Sequence, residues 1–340
     1  MSSTVSDFLH SCSSCTQCGT VCPFLETYGS PEDIIANKPQ LAFLCTNCTG
    51  CDKRCPLDLS PSEALFETKQ KLISEGRVPA KAAKAIKSAG SFAWRGHAAP
   101  FLRYDKTRTT FWPGCSLAGT SPEATMATRE LLSSIFDEEV GLTLDCCFDP
   151  LYQMGDIDSV NEACERIRQR LADAGIQKVI VGCINCKKVF GKHMGDVDVS
   201  HIIEVLPGDI IKSLPGEDLY LHHPCPVYHV DGIAEKTASI LGHTMDNEVD
   251  EQTIPACCGY GGSLNNQDAE LTVKFTEKVT MAAYGASIVT SCMGCKNMFL
   301  GKGTNTYHIL ELVTGVKPKG KKVGAARKWG NRLRLAKGKK

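Results

Sequence analysis

Residues 178–190 read Lys-Val-Ile-Val-Gly-Cys-Ile-Asn-Cys-Lys-Lys-Val-Phe, and residues 287–299 read Ser-Ile-Val-Thr-Ser-Cys-Met-Gly-Cys-Lys-Asn-Met-Phe. Each is a short run rich in β-branched residues that ends in a Cys-x2-Cys pair, with a lysine directly after it. A run of this length closed by Gly or Ser predicts a buried strand. Helical patterns precede both runs, over 159–174 and 265–283. Strand and helix in alternation predict small parallel α/β units. Cysteines at the C-terminal ends of such strands converge at the sheet edge where these folds place their ligands.

The repeat extends on both sides. One copy holds Cys115, Cys146-Cys147 and Cys183-x2-Cys186; the other holds Cys225, Cys257-Cys258 and Cys292-x2-Cys295. The gaps are 30 and 31 residues before the Cys-Cys pair, then 35 and 33 before the Cys-x2-Cys. Five thiolates from three turns exceed what one tetrahedral ion takes. They suit a cluster needing more than four thiolates, or four ligands and one spare nucleophile.

Further out, the N-terminal region opens with Cys12-x2-Cys15-x2-Cys18-x3-Cys22-Pro23 and repeats it as Cys45-x2-Cys48-x2-Cys51-x3-Cys55-Pro56. This is the bacterial-type [4Fe–4S] signature, whose fourth cysteine serves the other cluster. The spacing assigns Cys12, Cys15, Cys18 and Cys55 to one cluster and Cys45, Cys48, Cys51 and Cys22 to the second. Zinc suits Cys-x2-Cys pairs too, but does not account for two full copies with both prolines. Pro31-Glu-Asp-Ile reads as a helix start, and Ser60-Pro61-Ser62-Glu63 places an N-cap, a proline and an acid before an amphipathic stretch to Gly76. The module resembles the helical ferredoxins attached to respiratory and reductase enzymes.

Composition agrees with a redox protein. The 340 residues are 42% hydrophobic and 22% charged, ordinary for a soluble globular chain of about two domains, yet 19 are cysteine. No apolar run reaches a membrane span, and Met1-Ser-Ser-Thr-Val-Ser-Asp lacks the marks of a secretory signal. A cytoplasmic location is the expectation. A cysteine-rich intracellular chain with an odd number of thiols points to metal or redox chemistry rather than disulfides. The zero net charge is uneven: −4 over 1–76, +7 over 77–110, −14 over 111–315 and +11 over the last 25 residues. All cysteines lie in the two acidic parts. The resulting division is a helical two-cluster module at 1–76, a basic linker at 77–110, duplicated α/β domains at 111–205 and 206–315, and a basic tail at 316–340.

Cys257-Cys258-Gly259, set between a single cysteine and a Cys-x2-Cys, resembles the CCG (cysteine-rich) domain of heterodisulfide reductase. Two such domains behind a two-cluster ferredoxin resemble that enzyme's D subunit, equivalent to its C and B subunits fused. The iron–sulfur subunits of glycolate, lactate and glycerol-3-phosphate oxidoreductases share this layout. The resemblance covers about residues 10–315. It implies an oxidoreductase subunit in which each five-cysteine set (Cys115, Cys146, Cys147, Cys183, Cys186 and Cys225, Cys257, Cys258, Cys292, Cys295) holds a noncubane [4Fe–4S] cluster that cleaves a disulfide. It also implies a flavoprotein or membrane cytochrome as redox partner. The first copy departs from the pattern at Phe148, which replaces the glycine that permits positive φ or close backbone approach. This puts the first cluster's geometry in question.

Smaller features add alternatives. Cys164 reads as a buried structural thiol. His222-His223 beside Cys225 suggests a proton donor, against a capping or core role. Lys187 and Lys296 read either as partners of thiolate charge or as solvated lysines. Gly114-x4-Gly119 lacks the lysine of a phosphate loop. Trp329, Leu333 and Ala336 share a face of a basic helical pattern that would dock an acidic partner or an anionic membrane surface, which allows peripheral attachment; a disordered tail is the alternative. Nucleic-acid binding does not fit the acidic body. The main functional rival to disulfide reduction is a non-catalytic relay between a flavoprotein dehydrogenase and a membrane quinone component.

Overall fold

The structure, a computed structural model, describes residues 5–211, 214–241 and 256–338. They form two compact units. One gathers residues 5–91, 150–157 and 256–284; the other gathers 92–149, 158–241 and 285–338.

The first unit is helical. Helices Pro23–Tyr28, Pro31–Asn37 and Pro61–Ser74 each start on proline, where the missing N–H has no intrahelical partner to lose. Ser30 caps its helix by accepting from the Asp33 amide at 3.1 Å. Ser60 does not use its side chain in this way; its carbonyl takes the Glu63 amide instead, at 3.1 Å, so the expected side-chain cap is not made. The helical pattern over 265–283 breaks at Asp268, which turns extended and caps Ala269–Ala282 through Leu271 N. Tyr28 donates to the same carboxylate at 2.7 Å. Phe43, Leu72, Ala82, Ala85 and Met154 form a core in this unit.

The second unit holds two sheets. Strands β1 (Arg103–Tyr104), β2 (Thr109–Trp112), β3 (Val140–Leu144), β4 (Lys178–Val181) and β5 (Asp198–His201) run in the order β1-β3-β2-β4-β5. All pairs are parallel except β1 with β3. Strands β6 (Leu219–His222), β7 (Ser287–Thr290) and β8 (Thr306–His308) form a parallel sheet in that order. The paths β2-β4-β5 and β6-β7-β8 match: a strand leading to a single cysteine, a strand leading to Cys-x2-Cys, and a strand ending in histidine. One continuous apolar core joins Phe111, Leu142 and Ile180 of the first sheet to Leu221 and Val289 of the second. β2 and β3 are buried along their whole length, as central parallel strands are.

The basic stretches are structured. Within 77–110 lie helix Ala80–Gly96, β1 and the start of β2. The tail forms helix Ala325–Ala336, packed on helix Cys115–Thr120. Trp329 lies against Phe92 and Phe101, with ring centroids 5.4 and 4.7 Å away, and the Arg95 guanidinium sits 4.5 Å from its ring. Among the described residues, no helix is long and apolar enough to cross a membrane.

Candidate metal centres

In the first unit, the two Cys-x2-Cys-x2-Cys loops repeat in their backbone as well as in sequence. Ser14 and Thr16 take positive φ, and so do Asn47 and Thr49 at the same loop positions. These left-handed residues curl each loop tightly around its cysteines. The first loop borders a small pocket lined by Cys12, Cys15, Cys18 and Cys55, with Phe8 and Pro56 on its wall. Burial pushes the Cys18 thiol up to about 11, reinforced by the charges of Cys12, Cys15 and Cys55. Cys22, Cys45, Cys48 and Cys51 are brought together separately: burial raises Cys51, and Cys45, Cys22 and Cys48 add to the shift. Lys69 is fully buried beneath the second loop. Its Nζ donates to the Cys45 carbonyl at 2.7 Å, to Asn47 Oδ1 at 3.0 Å and to the Gln153 carbonyl at 3.0 Å.

Cys257 and Cys258 belong to this unit as well. The Thr46 hydroxyl lies 3.2 Å from Cys257 Sγ. Cys48 shares a hydrogen bond with Cys257, which together with burial holds it well above the usual thiol range. Gly259 has φ +79°, and a Cβ there would lie 3.0 Å from the Thr272 carbonyl oxygen, so the turn after the Cys-Cys pair needs both the freedom and the small size of glycine.

In the second unit, Cys115, Cys146, Cys147, Cys183 and Cys186 come together after the C-terminal ends of β2, β3 and β4. Cys115 opens helix Cys115–Thr120 and Cys183 caps helix Ile184–His193. Gly114, at φ +77°, allows the approach: a Cβ on it would stand 2.8 Å from Cys183 Cβ. Cys186 Sγ donates to Cys147 Sγ at 3.1 Å. Cys115 and Cys146 share a hydrogen bond. The hydrogen bond from Cys146, helped by the Arg332 charge and opposed by burial, draws Cys115 down to about 6. Arg332 also donates twice to the Cys115 carbonyl, from Nε at 2.9 Å and Nη2 at 2.6 Å. Both residues border a small pocket that Gly96, Gly114 and Asp145 also line.

Phe148 makes the turn that its size seemed to forbid. Its φ is +61°, the left-handed value that Gly259 adopts in the other copy. The ring is fully buried and meets Trp94 and His97 edge-on at centroid distances of 4.7 and 5.2 Å. Packing of this kind offsets a left-handed cost of roughly 1–2 kcal/mol. Just before it, buried Asp145 accepts from the Cys146 amide at 2.6 Å, from Tyr104 at 2.6 Å and from Arg170 at 2.9 Å, and pairs with His97 Nδ1 at 2.7 Å.

Cys225, Cys292 and Cys295 also lie in the second unit. Cys225 opens the turn Cys225–His229 after β6, and Cys292 caps helix Met293–Gly301 after β7. A hydrogen bond from Cys295 draws Cys292 down against burial. The halves cross: helix Met293–Gly301 packs on helix Cys115–Thr120, and helix Ile184–His193 packs on the Cys225–His229 turn. Asp149 is close enough to Cys115, Cys147 and Cys292 for its charge to oppose ionisation of all three.

The donors are thiols, soft ligands of the kind iron–sulfur clusters take. The two N-terminal groups of four and the group of five around Cys115, each behind tight turns, fit such clusters. Among the described residues, no three His, Cys, Asp or Glu side chains close on a point that would hold a single ion.

The minor features resolve differently. Lys187 pairs with Glu204 at 3.2 Å, and Lys296 is buried against Glu311, so neither is a solvated lysine. These glutamates belong to capping boxes that sequence reading missed, His201-Ile-Ile-Glu204 and His308-Ile-Leu-Glu311. The repeated His-Ile-x-Glu, 15 and 13 residues after each Cys-x2-Cys, was the available signal. Burial lowers His201, His222 and His308 to about 3, keeping all three neutral. Cys164 is buried on helix Ile157–Asp173, its thiol pushed up to about 12 by that burial.

Comparison with known proteins places these sites in context. The cysteine-rich CCG domain family matches residues 109–191 and 219–300. The chain is 27% identical over 253 residues to the B subunit of the fumarate reductase (CoM/CoB) of Methanothermobacter marburgensis, covering 69% of this chain and 51% of that protein. It is 24% identical over 294 residues to the D subunit of the dihydromethanophenazine:CoB–CoM heterodisulfide reductase of Methanosarcina acetivorans, covering 74% of this chain and 70% of that one. The chain thus spans about half the length of the first relative. The chain therefore carries two matches to the cysteine-rich CCG domain and is similar to subunits of heterodisulfide and fumarate reductases.

Proposed function

We propose that the chain is the disulfide-reducing subunit of a redox complex. In this reading Cys12, Cys15, Cys18 and Cys55 hold one [4Fe–4S] cluster and Cys22, Cys45, Cys48 and Cys51 a second, forming an N-terminal ferredoxin domain. The duplicated CCG sets, Cys115, Cys146, Cys147, Cys183, Cys186 and Cys225, Cys257, Cys258, Cys292, Cys295, hold one or two further clusters of noncubane type. When bound, these groups supply one-electron storage and transfer, and the thiolates, hydrogen bonds and local charges around them set each potential.

One observation carries the reading. The Cys257 side chain, in the second Cys-Cys pair, shares a hydrogen bond with Cys48 and lies 3.2 Å from the Thr46 hydroxyl, both on the second N-terminal cysteine loop. A relay between the two kinds of site then crosses a single side-chain contact. Electrons enter from a partner, a flavoprotein or a membrane cytochrome being the chemical classes that fit, and pass through the N-terminal thiol groups to the CCG thiols. Reduction of RS–SR takes two electrons and two protons and releases two thiols. Lys69 holds the second loop rigid from beneath, which keeps the relay geometry fixed.

The test is anaerobic iron and zinc analysis with EPR, before and after oxidation in the presence of a thiol. A paramagnetic signal that requires the thiol supports disulfide reduction. Cubane signals alone, whatever thiol is added, overturn it in favour of a non-catalytic relay between a dehydrogenase and a quinone-linked component. Stoichiometric zinc without iron overturns both.

A further inference from the structure

We propose that Arg332, on the C-terminal helix, is a positioning residue for the first five-cysteine site: it clamps the Cys115 turn and keeps a permanent positive charge beside it, easing reduction of the iron–sulfur group held there. This rests on the functional reading above and adds to it a residue outside every cysteine motif.

The geometry is that of a built clamp. Arg332 is 6% exposed, and its guanidinium carbon lies 4.8 Å from the Phe92 ring centroid and 4.5 Å from that of Trp329. From this aromatic slot Nε and Nη2 both reach the Cys115 carbonyl, at 2.9 and 2.6 Å. The fork grips the backbone and leaves Sγ to its role as ligand. Asn331 secures the far end of the same short helix by donating to the Gly119 carbonyl at 2.7 Å. The helix closes down because Gly119 has no side chain: a Cβ there would stand 3.1 Å from Lys328 Cβ.

The electrostatics follow from the same contacts. Arginine stays protonated at any pH the fold survives. Removed from water, its charge is little screened. Asp149 is the opposing charge at Cys115, and it is itself paired with Lys188 at 3.1 Å. A thiolate-bound cluster becomes more negative when it accepts an electron, so a fixed cation beside one ligand favours the reduced form. The basic tail thus acts on a redox site of its own chain.

The test uses the full-length, cluster-loaded protein in redox-titrated EPR, with Cys147→Ala identifying the signal of this site. Arg332→Met should keep the iron and shift that signal alone to lower potential, by about tenfold in the reduction equilibrium, or about 59 mV for one electron. Arg332→Lys should restore most of the shift. A wild-type potential in Arg332→Met with iron retained, or an equal shift of every signal, overturns this proposal and leaves the functional reading standing. If Arg332→Met loses the iron of the site, Arg332→Lys decides: iron kept at the wild-type potential supports the proposal, and iron lost or a lowered potential overturns it. If Cys147→Ala removes no signal, this proposal falls, while the functional reading stands with its one further cluster at the second set.

Discussion

The Thr46 hydroxyl oxygen and the Cys257 sulfur lie 3.2 Å apart although 211 residues separate them in the chain. Thr46 belongs to the second N-terminal cysteine loop and Cys257 to the second Cys-Cys pair, so this contact joins two motifs readable only separately.

Thr46→Val keeps the shape and removes that hydroxyl. A hydrogen bond to a sulfur ligand favours the reduced cluster, so one potential should fall by an amount of order 59 mV while iron content holds. Redox-titrated EPR measures it, and unchanged potentials throughout would show that the contact is packing alone.

Lys69→Met should destabilise the first unit. It leaves the Cys45 carbonyl, Asn47 Oδ1 and the Gln153 carbonyl without their buried donor. Unsatisfied buried groups cost about 1–3 kcal/mol each, and the relief of removing a buried charge offsets part of this. A net loss of roughly 2–4 kcal/mol is expected in chemical denaturation, and a variant as stable as wild type would refute the clamp.

At Phe148 the usual order of small substitutions should invert. Both Phe148→Gly and Phe148→Ala empty the slot against Trp94 and His97, at about 3–5 kcal/mol. Only alanine must also sit at φ +61°, so Phe148→Gly should be the more stable of the two by about 1 kcal/mol. Thermal or urea unfolding of the pair would falsify the left-handed assignment if alanine came out ahead.

Acid should weaken the second unit before its carboxylates titrate. His201, His222 and His308 stay neutral in the fold down to about pH 3, whereas in the unfolded chain they protonate near 6.5. The unfolded state therefore binds more protons between these values. Stability is full above about pH 6.5 and falls, as pH drops towards 3, by about 1.4 kcal/mol per pH unit for each histidine. Urea unfolding between pH 5.5 and 7.5 should show this slope, and His308→Asn, which retains a capping side chain, should flatten it by one histidine's share.

Much of the second unit's fold is legible in the sequence. The runs before Cys183 and Cys292 form β4 and β7 because short β-branched segments closed by Gly or Ser have few other ways to bury themselves. The helix expected over 159–174 is observed as Ile157–Asp173. What escaped reading depends on partners distant in the chain. Nothing around Lys69 announces that an ammonium group will be buried under a loop more than twenty residues earlier. The tail's periodicity shows that its helix is amphipathic but not that Phe92 and Phe101 wait for Trp329. The break at Asp268 needed only local chemistry, and the competing helical periodicity hid it.

Phe148 also bears on how this kind of site is catalogued. The residue after the Cys-Cys pair takes positive φ in both copies, Phe148 at +61° and Gly259 at +79°. Phe148 stands there with its ring held against Trp94 and His97. A pattern written with a compulsory glycine would discard this copy as degenerate. Written as a left-handed residue after two adjacent cysteines, the same pattern admits it.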